Sequence, residues 1–438
     1  MSLMQQITAN PERLNQFLIH VADSANDRYL HWDELRRRPA PHGLTHEEWW
    51  AAEKIRRNAS AQAIPLQDAS QKPFHYSLAT PIQELLHRID LNAGGRVGMP
   101  VQITNPETRD QYYVASLIEE AITSSQLEGA STTRQVAKEM IRSGRPPADR
   151  SERMILNNYR TMQAIRRHKD APLSPDLLLE IQHSVTDGTL DDDTATGRLR
   201  HPDEPVKVVD QRDGTVLHTP PPAGQLPERI DAMCAFANAA DGDVKPFLHP
   251  VLRSIILHFW LAYDHPFVDG NGRTARTLFY WSMLRQGYWL VEFLTISQII
   301  RGAPAKYARA FLFTETDDND LTYFIGYHLT VLDRALRALH EYVARKSAQQ
   351  RYLESVVRGL TDLNHRQRAL LGHALRHPNY RYTIEEHRMS HGVVYQTART
   401  DMLELVEAGL LDSRKIRNRW SFNAVDDLER RLSGTHPP

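Results

Sequence analysis

The chain has 438 residues, a formal net charge of −1, 41% hydrophobic residues and 24% charged residues. That suffices for sizeable cores in about two to four domains, and it leaves no global field to draw the molecule onto nucleic acid or an anionic membrane. The single cysteine, Cys234, excludes an internal disulfide framework; with no signal-peptide pattern in MSLMQQITAN and no apolar run long enough to span a bilayer, a cytoplasmic protein with no membrane partner is expected.

Residues 1–100 read as a helical N-terminal region, with helices in NPERLNQFLIHVADSAND and THEEWWAAEKIRRNASAQ. Thr45, followed three residues later by Glu48, forms a capping-box pattern. The stretch 67–79 is polar and reads as irregular; a helix resumes over 80–89, and NAGGRVGMP ends it. A long helix then runs through RDQYYVASLIEEAITSSQLEG, where Val114, Leu117, Ile118 and Ile122 recur at helical spacing. More helices are expected over 152–168, 174–185, 226–239, 249–263 and 273–286, and as a set over 297–346. Ser174 caps the second of these, with Pro175 in its first turn.

Inside this helical block only VKVV (206–209) and TVLH (215–218) look like strands. The intervening DQRDG predicts a hairpin, and TPPP stops it. A hairpin alone among helices is marginally stable, so it reads as a flap waiting for a partner strand. The tail, 355–435, reads as short helices followed by a polar turn between β-formers, the order of a winged helix-turn-helix. Arg414, Lys415, Arg417 and Arg419 gather in its wing. Such a module docks DNA or protein, and the sequence does not choose between them.

The chemistry concentrates in HPFVDGNGRTAR, His265–Arg276. Pro266 pushes His265 out of the preceding helix, and Phe267 anchors the loop in the core. Gly270-Asn271-Gly272 lets the backbone turn freely, and a new helix starts near Asn271 with Leu278, Trp281 and Leu284 on its apolar face. A glycine-rich loop feeding a helix N-terminus presents unpaired N–H groups and the positive end of the dipole, a geometry suited to phosphate. Arg273 and Arg276 share a face and can grip two phosphate groups. Asp269 is placed to hold Mg²⁺, and His265 to take a proton near neutral pH. Together these are the parts for displacement at phosphorus.

The same twelve residues match the Fic motif, H-x-F-x-[D/E]-G-N-G-R-x-x-R, at every fixed position, and the resemblance extends over roughly 101–345. It implies a mainly α fold: a helical bundle with a β-hairpin flap, here joined to the helical N-terminal region and the C-terminal winged helix-turn-helix. It implies a protein adenylyltransferase that moves AMP from Mg-ATP to a Ser, Thr or Tyr hydroxyl of a target protein and releases pyrophosphate. By position, His265 resembles the family's base, Asp269 its Mg²⁺ ligand, and Gly270, Asn271 and Gly272 its anion hole. Arg273 and Arg276 resemble its phosphate clamps. The nucleotide would lie against Gly270–Arg276, Thr274 and Ala275 included, with Tyr307 near the nucleoside. Relatives that phosphorylate carry a lysine where this chain has Gly272. The flap, Val206, Lys207, Val208 and Val209, would pair with an extended segment of the target.

SSQLEG, Ser124–Gly129, resembles the family's inhibitory motif, which places an inhibitory helix near 113–129. Glu128 would take Arg276 away from ATP, with Ser124 and Gly129 completing the motif; Glu119 and Glu120 are the neighbouring carboxylates that could instead face that way. Two other readings stay open: a DNA-binding regulator whose Fic core only senses nucleotide, and an enzyme that removes AMP. Self-modification and a homodimer are compatible with the resemblance.

Overall fold

A computed structural model describes residues 3–22, 29–41, 43–94, 106–210, 213–239, 246–360, 362–377, 379–416 and 419–433. The chain divides into two units, Met1–Leu339 and His340–Pro438.

The first unit opens with α1 (Leu3–Thr8), α2 (Pro11–Ala22), α3 (Trp32–Leu35) and α4 (His46–Ala59). Thr45 caps α4, and the Thr45–Glu48 capping box forms in both directions. Part of the stretch read as irregular then proves to be paired, and the segment read as a helix through Gln62 stops at Ala59, with Ala61 and Gln62 in a strand. Strands β1 (Ala61–Gln67) and β2 (Pro73–Ser77) form an antiparallel hairpin. Its alternation was present, since Ile64, Leu66, Phe74 and Tyr76 are buried. Pro65 and Pro73 hid it, because proline cannot donate to a ladder and lowers a run's standing as a strand.

Helix α5 (Thr80–Ile89) follows, then α6 (Pro106–Leu127), α7 (Arg134–Ser143), α8 (Arg150–Arg167) and α9 (Pro175–Thr186). Ser174 caps α9 as expected. Helix α7 was not anticipated, although Thr133 caps its start and Gly144, left-handed at φ 70°, ends it. The flap hairpin is β3 (Val208–Val209) with β4 (Val216–His218), and Val208 pairs with His218. It is shorter than the expected strand: Val206 and Lys207, just after Pro205, lie outside the ladder.

Helices α10 (Leu226–Asn238), α11 (Pro250–Asp264) and α12 (Asn271–Arg285) come next. The last two form the core, with Phe259, Trp260, Phe279 and Trp281 almost fully buried. The unit closes with α13 (Ile296–Arg301), α14 (Pro304–Thr316) and α15 (Thr322–Gly359), within which the division falls. No helix among the described residues is long and apolar enough to cross a membrane.

The second unit continues with α16 (His365–Arg376), α17 (Ile384–His391) and α18 (Tyr395–Glu407). An antiparallel pair, β5 (Leu411–Ile416) and β6 (Arg419–Ala424), precedes α19 (Leu428–Ser433). Leu371, Ala398, Met402, Leu405 and Phe422 form its core. Arg414 and Lys415 are exposed on β5, while Arg417 lies outside the described residues.

Candidate active site

Helix α11 stops at Asp264, and His265 caps it in the left-handed region at φ 45°. That conformation is costly for a residue with a side chain, and the surroundings hold it there. The His265 N–H donates to the Leu261 carbonyl at 3.0 Å, while its own carbonyl accepts from Arg200 Nε at 2.9 Å. The His265 ring Nδ1 lies 3.1 Å from the Ala262 carbonyl. A carbonyl only accepts, so Nδ1 carries the proton and Nε2 keeps its lone pair. Burial pushes the pKa of His265 below its ordinary value, which keeps the ring a neutral base.

Beyond it the loop is locked by its own residues. Phe267 is fully buried. The Asn271 amide accepts from the Phe267 N–H at 3.0 Å and donates to the Phe267 carbonyl at 2.8 Å. The Asn271 side chain is therefore a staple for the loop, and it is the backbone N–H that can face an anion. Gly270 sits at φ 83°, where a β-carbon would also lie 2.6 Å from Thr186 Cγ2. Gln182 ties the loop to its neighbours, donating to the Asp269 carbonyl at 3.1 Å and accepting from the Gly197 N–H.

Helix α12 begins at Asn271, so its first N–H groups lack partners within the helix. Arg273 is fully buried and donates from Nη1 to the Val185 carbonyl at 2.6 Å. Its Nε and Nη2 have no hydrogen-bond acceptor, and burial works against its charge. Two orphaned guanidinium nitrogens at a helix start are what an oxyanion would satisfy. The Asp269 side chain is 40% exposed, 3.7 Å from Arg273 and 3.8 Å from Arg150. Among the described residues no three His, Cys, Asp or Glu side chains gather into a metal cage. A single accessible carboxylate does fit a cation that takes one or two protein carboxylates and completes its shell with phosphate and water.

Thr274 and Ala275 follow in the first turn of α12. Both are fully buried, and the Thr274 N–H is spent on the Gly270 carbonyl at 2.9 Å. The Thr274 hydroxyl oxygen is buried without a hydrogen-bond partner.

That space is a cavity of about 230 Å³ lined by Glu128, Val208, His218, His265, Gly272 and Arg276, with Tyr307 and the apolar side of α14 at its other end. Tyr307 belongs to both core and cavity: it is half-buried, and its hydroxyl meets His258 Nε2 at 3.0 Å. Burial raises its pKa, so it stays a neutral phenol.

Arg276 is the best-held group. Its Nε donates to Ser124 Oγ at 2.8 Å, and its Nη2 donates to the Ser124 carbonyl and to Glu128 Oε1, both at 2.9 Å. Burial opposes the Arg276 charge, but the Glu128 carboxylate outweighs it and the pKa rises. Glu128 stands just past the end of α6, and Gly129 leaves the helix at φ 92°. The helix itself is pinned: Ile118 and Ile122 pack with Met140, Met154 and Ile155. Glu120, buried and raised in pKa, accepts from the Ser297 N–H at 3.1 Å. Glu119 pairs with Arg134 at 2.6 Å. Neither neighbouring carboxylate takes the place of Glu128. The close approach also depends on Gly272, where a β-carbon would lie 2.1 Å from Glu128 Oε1.

The sequence reading missed the roles of Gln182, Arg150 and His218, which lie far from the loop in sequence and carry no local pattern. Arg200 stood in the noted GRLR stretch, but its hold on the His265 carbonyl was not foreseeable there.

Residues 172–283 match the model of the Fic/DOC family. This part of the chain is similar to a Fic domain. The match takes in α9, the flap, α11, the loop and α12. Among named proteins, the protein adenylyltransferase Fic of Drosophila willistoni is 38% identical over 71 residues, and that of Nematostella vectensis 37% over the same length. The matched stretch is 16% of this chain and 14% and 16% of those relatives, so the chain is related to a small part of each. A crystal structure of a Fic family protein from Desulfovibrio desulfuricans G20 superposes with a TM-score of 0.56 over 80% of this chain and 98% of that one, at 21% identity. The Fic fold is thus shared well beyond the matched segment.

Proposed function

We propose that the chain is a protein adenylyltransferase that moves AMP from Mg-ATP to a Ser, Thr or Tyr hydroxyl of a target protein and releases pyrophosphate. The observation that carries this reading is one cavity lined by both His265, whose Nδ1 is spent on the Ala262 carbonyl, and Arg276, beside a helix start with an orphaned arginine. In the proposed step the hydroxyl oxygen bonds to the α-phosphorus of ATP, its proton passes to His265 Nε2, and the bond to pyrophosphate breaks. The first N–H groups of α12 and Arg273 hold phosphate oxygens, and Arg276 holds the terminal phosphate. Magnesium bound at Asp269 would neutralise charge on the phosphates as they separate.

The Glu128–Arg276 pair is the inhibited state of this enzyme. While Glu128 occupies Arg276 and crowds Gly272, the terminal phosphate has no clamp. The edge of β3, with Val208 half-buried and Val209 exposed, is the docking strand for the target. The C-terminal unit, with helices α16 to α18 and then a hairpin, is read as a winged helix-turn-helix that docks a protein or DNA, and the whole as a cytoplasmic enzyme.

Transfer of label from α-labelled ATP to protein tests the reading. Glu128→Gly should raise labelling of this chain or of proteins in a lysate, and adding His265→Ala should abolish it. Undiminished labelling without His265 would overturn the mechanism; no gain from Glu128→Gly would overturn the inhibition.

A further inference from the structure

The flap has two strands of two and three residues, and Val209 and Val216 are 45% and 48% exposed. So thin an element does not hold its own position over a cavity. Its one deeply placed polar residue is His218, the cross-strand partner of Val208. The His218 side chain is only 9% exposed. Its Nδ1 lies 2.7 Å from Glu315 Oε2 on α14, and its Nε2 lies 2.7 Å from the Tyr263 carbonyl in the last turn of α11. The ring also packs on Tyr263, with centroids 4.7 Å apart. The ring thus bridges a carboxyl group on one side and a backbone carbonyl, which only accepts, on the other. A donor there also satisfies one of the last carbonyls of α11. That helix ends in His265, and His218, Glu315, Val208 and His265 line the same cavity.

We propose that His218 is a positioning residue: clamped between the Glu315 carboxylate and the Tyr263 carbonyl, it sets the flap strand bearing Val208 at a fixed place over His265. The clamp joins three elements that touch the reaction space: the flap, the end of α11 and α14. Its use in registering a target hydroxyl rests on the adenylyltransferase reading above; the clamp itself does not.

Hydrogen exchange on the full chain tests it, read in the 206–218 segment with 250–264 as the internal control. Glu315→Ala and His218→Ala should each raise exchange in the flap by about tenfold or more while 250–264 keeps its protection. Glu315→Gln should restore flap protection, because the amide donates to Nδ1 while the singly protonated ring still donates from Nε2 to Tyr263. In a Glu128→Gly background, self-labelling from α-labelled ATP should fall about tenfold or more in Glu315→Ala and recover in Glu315→Gln. Unchanged flap exchange in Glu315→Ala overturns the clamp, as does a loss that glutamine fails to restore. If His218→Ala also loosens 250–264, the Glu315 pair of variants decides alone. No label in the Glu128→Gly parent would defeat the transferase reading, and the exchange result would still judge the clamp.

Discussion

The start of α12 and the flap face the same cavity but are built in opposite ways. The loop into α12 is held from within by the buried ring of Phe267, the Asn271 staple and the left-handed Gly270. The flap has almost no interior and is tied to the rest of the unit at His218. The half of the site proposed to bind phosphate is therefore preformed, as electrostatic catalysis requires. The half that would meet a protein partner is thin and depends on neighbours, as an edge that must accept a foreign strand can be.

Substitutions can break or sharpen this contrast. The largest effect should come from His265→Ala in the Glu128→Gly background, which should cost about 10²–10⁴-fold or more in labelled-AMP transfer with little change in unfolding. Next, Asn271→Ala leaves the buried N–H and carbonyl of Phe267 unpaired and should lower stability by about 1–3 kcal/mol in denaturant unfolding. Gly270→Ala should cost a similar amount, about 1–3 kcal/mol, through its positive φ and the clash with Thr186. Gly272→Ala differs although it lies two residues on. It has no positive φ, and the atom it meets is the tip of a flexible glutamate. Its stability should stay within about 1 kcal/mol of wild type, while the Glu128–Arg276 contact lengthens in a crystal structure of the variant. The smallest change is expected at the flap, where Val216→Thr should move stability by no more than about 0.5 kcal/mol. A large loss there would mean the flap has an interior after all.

The two regions also predict a pH response. The unfolded His265 binds a proton more readily than the folded one, whose pKa is lowered by burial. Transfer should therefore persist as pH falls through the ordinary histidine value of 6.5 and fail only below it. The contribution of this histidine to stability has the same sign: present above 6.5 and lost as pH falls below it. An ascending limb in the rate profile centred above 6.5 would contradict a buried neutral base.

Much of the loop was legible because its chemistry is contiguous. Pro266, Gly270 and Gly272 act on their own backbone, and Arg273 and Arg276 share a face through the helical repeat alone. Caps at Thr45 and Ser174 were equally local. The failures have physical causes too. Prolines at 65 and 73 masked an edge hairpin whose alternation was intact.

The sequence by itself determined the loop proposed to bind phosphate: a histidine, a carboxylate, a flexible turn and two arginines on one face, all set by backbone geometry within twelve residues. Only the tertiary structure decided what competes for those groups and what holds the flap. Arg276 meets Glu128 across 148 residues of chain, and His218 meets Glu315 across 97. Such pairs have no signature in local spacing, because they exist only once α6, α12, α14 and the flap have packed around one cavity.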